Sequence, residues 1–181
     1  NIGKAQGLGV ILDAALILKA EEPKAQFIIL GQGLELDKLK RSAAAMNLDN
    51  VHFLPSVSID KVGYFLNSAD ALLIHLNSNP LFEITIPGKT QAYMAVGKPI
   101  IMGVRGDASN LLSRADCGFC FEPENSAALV SAVKGLMYLA PAEREALGKN
   151  AENFYNKNLS VKVGVNLWVK VFDEVIAIQK K

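Results

Sequence analysis

The sequence predicts an α/β fold, a Rossmann-like doubly wound parallel sheet with extra C-terminal helices. Three observations lead there. Short strand-like apolar runs alternate with longer helical ones along most of the 181 residues, the pattern of βαβ units around a parallel sheet. The run Gln26-Phe-Ile-Ile-Leu-Gly31 is continuously apolar and ends in glycine, as strands buried on both faces do. The last two helical segments follow one another with no strand between them, so they pack outside the sheet or reach toward a neighbouring domain.

The elements follow in order. Leu8, Ile11, Leu12, Ala15 and Leu16 recur at helical spacing, and Pro23 lies beyond the end. The strand 26–31 comes next, then a helix over 34–46 with Lys and Arg outside. Val51–Leu54 is a strand, 59–67 a helix, and Asp70–His75 a strand. A loop over 76–86 leads into a helix from Pro87 to Val96, and Pro99–Met102 is a strand. Ala108–Arg114 is a short helix and 118–121 the last strand. Helices are expected over 126–138, 141–155 and 161–178. In such a sheet, ligands sit at the C-terminal strand edges. The loops after Leu30, Leu54, His75 and Met102 therefore crowd one rim.

Half of the chain is hydrophobic, enough for a sizeable core. Nineteen basic and 18 acidic side chains give a net charge of +1. No sustained basic stripe is present, and Lys180-Lys181 is too short for a tail, which argues against nucleic acid as a partner. No apolar run reaches transmembrane length, and the start is no signal peptide. The opening Asn1-Ile2-Gly3, without Met, is expected to continue a preceding segment. Cys117 and Cys120 form a Cys-x-x-Cys with neither a second such pair nor a nearby His pair to complete a zinc site. They read as reduced cysteines on opposite faces of a strand, with no metal and a cytoplasmic compartment.

The most informative stretch is Phe82–Ile100. A polar loop leads into a helix opened by Pro87-Gly88-Lys89-Thr90, and Gly97-Lys98-Pro99 breaks it before a buried strand. Free N–H groups and the positive dipole end make such a helix start a seat for phosphate. Lys89 and Thr90 add a charge and a hydroxyl. Gly88-Lys89-Thr90 imitates the end of a P-loop, but Glu83 stands where that motif needs Gly, so a Walker-type NTPase is rejected. Gly31-Gln32-Gly33 lacks the third Gly of a dinucleotide fingerprint, since Leu36 stands there. It either touches a ligand or makes a tight turn. His75, at a strand end, is either a half-buried residue closing the strand or a group near sugar or phosphate. His52 is structural. Glu83 is either an exposed loop residue or a partner for a sugar hydroxyl, since a carboxylate would repel a diphosphate. In Arg105-Gly106-Asp107, Gly106 shapes a turn and Asp107 caps the next helix. Trp168 and Phe172 are core packing or an anchor at a domain interface.

Taken together, these segments resemble the C-terminal, donor-nucleotide-binding half of a GT-B fold, in the retaining group 1 glycosyltransferases of O-antigen and colanic acid type. The likeness runs through Asn1–Gly7, Phe27–Gly33, Asn50–Pro55, Ser68–Asp70, Ile86–Pro99, Gly106–Ala108 and Gly118–Asn125. The resemblance implies one nucleotide-sugar donor domain over 1–181. Its N-terminal acceptor domain is absent, and helix 158–181 packs outward or toward that domain. It also implies that Gly3, Lys4 and Gln6, the Gly31 and Gly33 turn, and the helix start at Thr85, Ile86, Pro87, Gly88 and Thr90 meet the donor. His75 joins them at the rim. Pro55 and Val57, after Phe53, meet the base, and Gln91 the ribose. Glu83 and Lys89 are the candidate catalytic residues. The donor is a UDP- or GDP-sugar, no cofactor or metal is required, and a saccharide or polyprenyl-linked acceptor comes through the absent domain. The setting is cytoplasmic, at the inner face of the plasma membrane, with only peripheral membrane contact.

Three departures stand out. Asn1 and Gln6 occupy places where the family often has Arg and Lys, which leaves Lys4 to supply charge. The family's two glutamates, seven residues apart, fall in this register on Ile84 and Ala92, with Glu83 and Gln91 one place off. Two other functions share the fold. A GT-B-type nucleotide-sugar epimerase would carry more acidic and His residues on the rim, and would act on nucleotide-sugar without acceptor. A non-catalytic nucleotide-binding module would not need the dense Pro-Gly-Lys-Thr-Gln segment.

Overall fold

In the computed structural model, which describes residues 1–179, strands and helices alternate as the apolar runs predict. The strands are β1 (Phe27–Leu30), β2 (Val51–Leu54), β3 (Leu72–His75), β4 (Ile100–Gly103) and β5 (Gly118–Cys120). The helices are α1 (Gly9–Glu21), α2 (Leu36–Ala45), α3 (Ile59–Ser68), α4 (Pro80–Glu83), α5 (Gly88–Val96), α6 (Asp107–Ala115), α7 (Ser126–Tyr138), α8 (Pro141–Phe154) and α9 (Val161–Gln179). A 3₁₀ turn at Lys4–Gln6 precedes α1, and a π turn at Tyr155–Leu159 follows α8. Lys180 and Lys181, part of the 158–181 segment, lie outside the described residues.

Every strand pairing is parallel. The strands form two ladders, β1–β2 and β3–β4–β5, rather than one continuous sheet. The opening segment lies between the C-terminal ends of β1 and β3. The Ile2 amide donates to the Gln32 carbonyl (2.9 Å) and the Asn77 amide to the Ala5 carbonyl (2.9 Å). Helices cover both faces. In β4, Ile101 turns into the cluster with α1 and α7, while Ile100 and Met102 turn into the cluster with α5, α6 and α8. A third cluster joins α1 and α2 to β1 and β2. This burial on both faces is the reason the strands read as apolar runs without polar alternation.

Three local expectations are revised. The loop over 76–86 contains α4, whose first turn is capped by Asn79: its Oδ1 accepts from the Leu81 amide (2.9 Å), and Pro80 takes the first helical position. Asn-Pro in that order is a helix-start signal. Gly106, not Asp107, is the N-cap of α6, and Asp107 lies in the first turn, where its carboxylate suits the dipole. Trp168 and Phe172 do not pack in a core. Their rings lie 5.9 Å apart on a helix whose apolar side chains are exposed. Cys117 is buried at the foot of β5 and Cys120 is exposed; both are free thiols. Burial pushes the Cys117 thiol up to about 12.

Candidate functional site

Parallel pairing brings the C-terminal ends of all five strands to one rim, with Leu30 beside Leu54, His75 beside Gly103, and Met102 beside Cys120. The turn 31–33, the loop 55–58, the segment 76–87, the turn 104–106 and the loop 121–125 follow those ends. The opening segment joins them.

The start of α5 is open. Pro87 is the N-cap of α5 with no side-chain cap, so the first amides, of Gly88 and Lys89, point out without an intrahelical partner. A Cβ on Gly88 would meet nothing within 4 Å, so the space above it is open. The Lys89 side chain is accessible, yet the protein around it removes enough water to hold its ammonium below the ordinary lysine value. Lys89 is also near enough to the Asn1 amine to lower that amine's pKa, after the larger effect of burial. The charge of Lys89 is thus felt at the chain's opening segment.

Thr90 does not join them, contrary to the motif. It is fully buried, its Oγ1 has no hydrogen-bond partner, and its amide donates to the Pro87 carbonyl (2.8 Å). Thr90 and Met94, four apart, form the buried stripe of α5. That spacing is the signal for its inward position. Gln6 also has an internal role: its Oε1 accepts from the Gly3 amide (2.9 Å), which occupies a donor otherwise free for phosphate. Gly33 lets the chain approach itself, since a Cβ there would overlap the Ile2 carbonyl. Pro55 is exposed and Val57 half-buried on the next loop. Ser56 Oγ, between them, donates to Gln32 Oε1 (3.4 Å), which sets that loop beside the glycine turn. The Thr85 hydroxyl donates to the Leu81 carbonyl (2.6 Å), while Ile86 is exposed. Lys4 is exposed and lines a groove of about 590 Å³ between α1 and α2, whose walls do not include Lys89 or the 55–58 loop.

Glu83 ends α4 at the other side of the seat, exposed, with its backbone resting on Gly106. A Cβ on Gly106 would overlap the Glu83 carbonyl oxygen, and its φ is +76°. Arg105 stands next to it, paired with Glu122, and feels the Glu83 charge. Glu83 and Gln91 are separated by seven residues, as Ile84 and Ala92 are, and lie one place before that pair. Gln91 is exposed on α5, with an amide in the second place.

His75 is not half-buried at the surface but lies beneath it, 5% exposed. Its Nδ1 bonds the Gln6 carbonyl (2.7 Å) and its Nε2 accepts from the Glu124 amide (2.9 Å). It braces the rim and does not line it. Asn77, unmarked in the sequence, adds to the brace: its Nδ2 donates to the Lys4 carbonyl (2.9 Å). Among the described residues no group of three or more His, Cys, Asp or Glu is placed to hold a metal, and no helix is long and apolar enough to cross a membrane.

The molecule is a two-faced α/β domain with a lysine-flanked, uncapped helix start on its strand-end rim, the edge where such folds bind their ligands. The sequence model of the glycosyl transferases group 1 family matches residues 1–154, and the chain belongs to that family. It is 30% identical over 155 residues to the D-rhamnosyltransferase WbpZ of Pseudomonas aeruginosa, covering 84% of this chain and 38% of that one. It is 28% identical over 171 residues to a colanic acid biosynthesis glycosyl transferase, WcaI, of Escherichia coli, covering 92% of this chain and 40% of the relative. The chain thus spans about two fifths of the length of these relatives. Its fold matches a glycosyltransferase of Rickettsia africae with a TM-score of 0.81 at 15% identity, over 97% of this chain and 46% of that one. It matches Anabaena Alr3699/HepE, solved in complex with UDP-glucose, with a TM-score of 0.79 at 16% identity, over 96% and 47% of the two chains. The fold is that of a GT-B C-terminal domain.

Proposed function

We propose that the chain is the donor-binding domain of an enzyme that moves a sugar from a nucleoside-diphosphate sugar to a hydroxyl of a saccharide or lipid-linked acceptor in surface polysaccharide assembly. The observation that carries this is the open start of α5 on the strand-end rim, uncapped at Pro87 and with the exposed Lys89 in its first turn. A leaving nucleoside diphosphate gains negative charge as the glycosidic bond breaks. Fixed amides and a cation stabilise it without having to reorganise. Gly88 and Lys89 would supply the amides, Lys89 and Lys4 the charge, and no metal is required. Glu83, at the end of α4, would meet a sugar hydroxyl; Gln91 the ribose; Pro55 and Val57 the base. Thr85, Ile86 and the Gly31 and Gly33 turn would shape the walls.

Residues 1–181 act as one unit in this reading. The acceptor and any general base belong to a further domain, against which the apolar face of α9 packs. The relatives named for colanic acid biosynthesis and D-rhamnosyl transfer support the polysaccharide setting, and the neighbour solved with UDP-glucose supports a UDP- or GDP-sugar donor. Work at the inner face of the plasma membrane, with peripheral contact only, fits a lipid-linked acceptor.

Calorimetric titration of the chain with UDP, GDP and ADP, with and without magnesium, tests this. Saturable binding of UDP or GDP that magnesium leaves unchanged is the expected result. Binding that appears only with magnesium would overturn the metal-free seat, and tighter binding of ADP than of both others would overturn the donor assignment.

A further inference from the structure

We propose that His75 is a positioning residue: held as the neutral imidazole protonated on Nδ1, it ties the opening loop to the 121–125 loop and so sets the shape of the rim that receives the diphosphate. This rests on the donor-domain reading. The tautomer follows from the partners. A backbone carbonyl only accepts and a backbone amide only donates, so Nδ1 must carry the proton toward the Gln6 carbonyl, and Nε2 must be bare toward the Glu124 amide.

The ring has no other place to go. It stacks on Phe121, with centroids 5.8 Å apart and planes 12° apart. A Cβ on Gly103 would lie 2.7 Å from its Cδ2, and one on Gly7 3.0 Å from its Cε1. Two glycines therefore make the slot that the ring fills. Each partner carries the constraint onward. Gln6 holds the Gly3 amide through its own side chain. Glu124 sits at a left-handed φ of +60°, and its Oε2 accepts from the Ser78 amide (2.9 Å). Opening loop, β3 end and 121–125 loop thus close a ring of hydrogen bonds with His75 at its centre.

A proton on Nε2 would set one N–H against another and open that ring. Burial holds His75 below the ordinary histidine value, outweighing the Gln6 bond and the Glu124 carboxylate, both of which favour the charged form. Glu124 is the charged side chain that acts on the imidazole. Lys4 on the opening loop and the Arg105–Glu122 pair on the β4 and β5 ends lie on the adjoining segments.

The test combines two measurements on the chain, between about pH 8 and pH 5. Nitrogen NMR reads the imidazole tautomer, its protonation midpoint and exchange protection of the Glu124 amide. Calorimetry reads affinity for UDP-glucose and GDP-mannose, for the native chain and for His75→Asn. The expected result is a proton on Nδ1 alone near neutrality, and an affinity that falls about tenfold on acidification with the imidazole's own midpoint. His75→Asn should bind less tightly at the alkaline end, with a flat profile. A proton on Nε2, or parallel profiles in the two proteins, would overturn the proposal. If His75→Asn does not fold, the native titration decides alone, by whether affinity and imidazole share one midpoint. If the native chain binds neither nucleotide-sugar, the donor reading fails. Loop-tying then stands if Glu124 amide protection is lost with imidazole protonation, and falls if it is not.

Discussion

At the residue scale, adjacent positions on α5 divide between surface and core. Lys89 stands over an open helix start, while Thr90, one step on, is sealed beneath it with an unpartnered hydroxyl. Lys89→Ala should weaken UDP or GDP binding by about 1–3 kcal/mol, the scale of a charge-assisted hydrogen bond; unchanged affinity by calorimetry would remove Lys89 from the seat. Thr90→Val should leave nucleotide affinity alone and raise stability by up to about 1 kcal/mol, because a buried hydroxyl with no partner costs more than a methyl in its place. A urea melt reads that difference. His75 has a further consequence for stability. Its folded pKa is below the ordinary 6.5, so the unfolded chain binds the proton more readily. Its contribution is complete above 6.5 and is lost as pH falls through the folded value. Urea midpoints compared with those of His75→Asn should converge in that direction.

At the element scale, two glycines set how helices meet their neighbours. Gly148, inside α8, lies against the carbonyl of Gly97, the left-handed C-cap of α5, and a Cβ would overlap that oxygen. Gly148→Ala should therefore destabilise the α5–α8 contact by about 1–3 kcal/mol despite alanine's better helix propensity, as overpacking does; a gain in melting temperature would contradict it. Gly106 plays the matching part between α6 and α4. Helix α9 presents the opposite case. Val161, Leu167, Trp168, Phe172 and Ile178 are all more than half exposed. Its charged side chains, Lys162, Lys170, Asp173 and Glu174, balance, which suits a protein partner better than an anionic lipid surface. A chain ending at Ser160 should keep its melting transition and lose binding of a hydrophobic dye; a collapse of the fold would show α9 to be part of the core.

At the scale of the whole molecule, the two parallel ladders share one direction, so loops from every strand end meet on one side, and the chain's opening segment joins them between β1 and β3. Helix layers on both faces leave that rim as the place where polar backbone stays unpaired. The large groove between α1 and α2 is a separate feature: it shares Lys4 and Glu124 with the rim but not Lys89, Gln91 or the 55–58 loop. Nucleotide binding should therefore survive Ser42→Tyr, which fills the groove wall; loss of UDP and GDP affinity in that variant would move the seat into the groove.

Strand and helix alternation, the buried character of the strands and the anion-seat pattern at Pro87–Lys89 were determined by the sequence alone, because each depends on residues a few places apart. Local signals were also present for the inward place of Thr90, four residues from Met94, and for α4, at Asn79-Pro80, although the expectations of a phosphate-facing hydroxyl and an unbroken loop ran against them. Tertiary structure decided the rest. That His75 braces Glu124, 49 residues away, that Gly106 carries Glu83, that Gln6 holds Gly3 in place of a ligand, and that Gly148 admits Gly97 all depend on which strand ends lie side by side and where helices cross. Those contacts join residues remote in the chain, and local propensity carries no information about them.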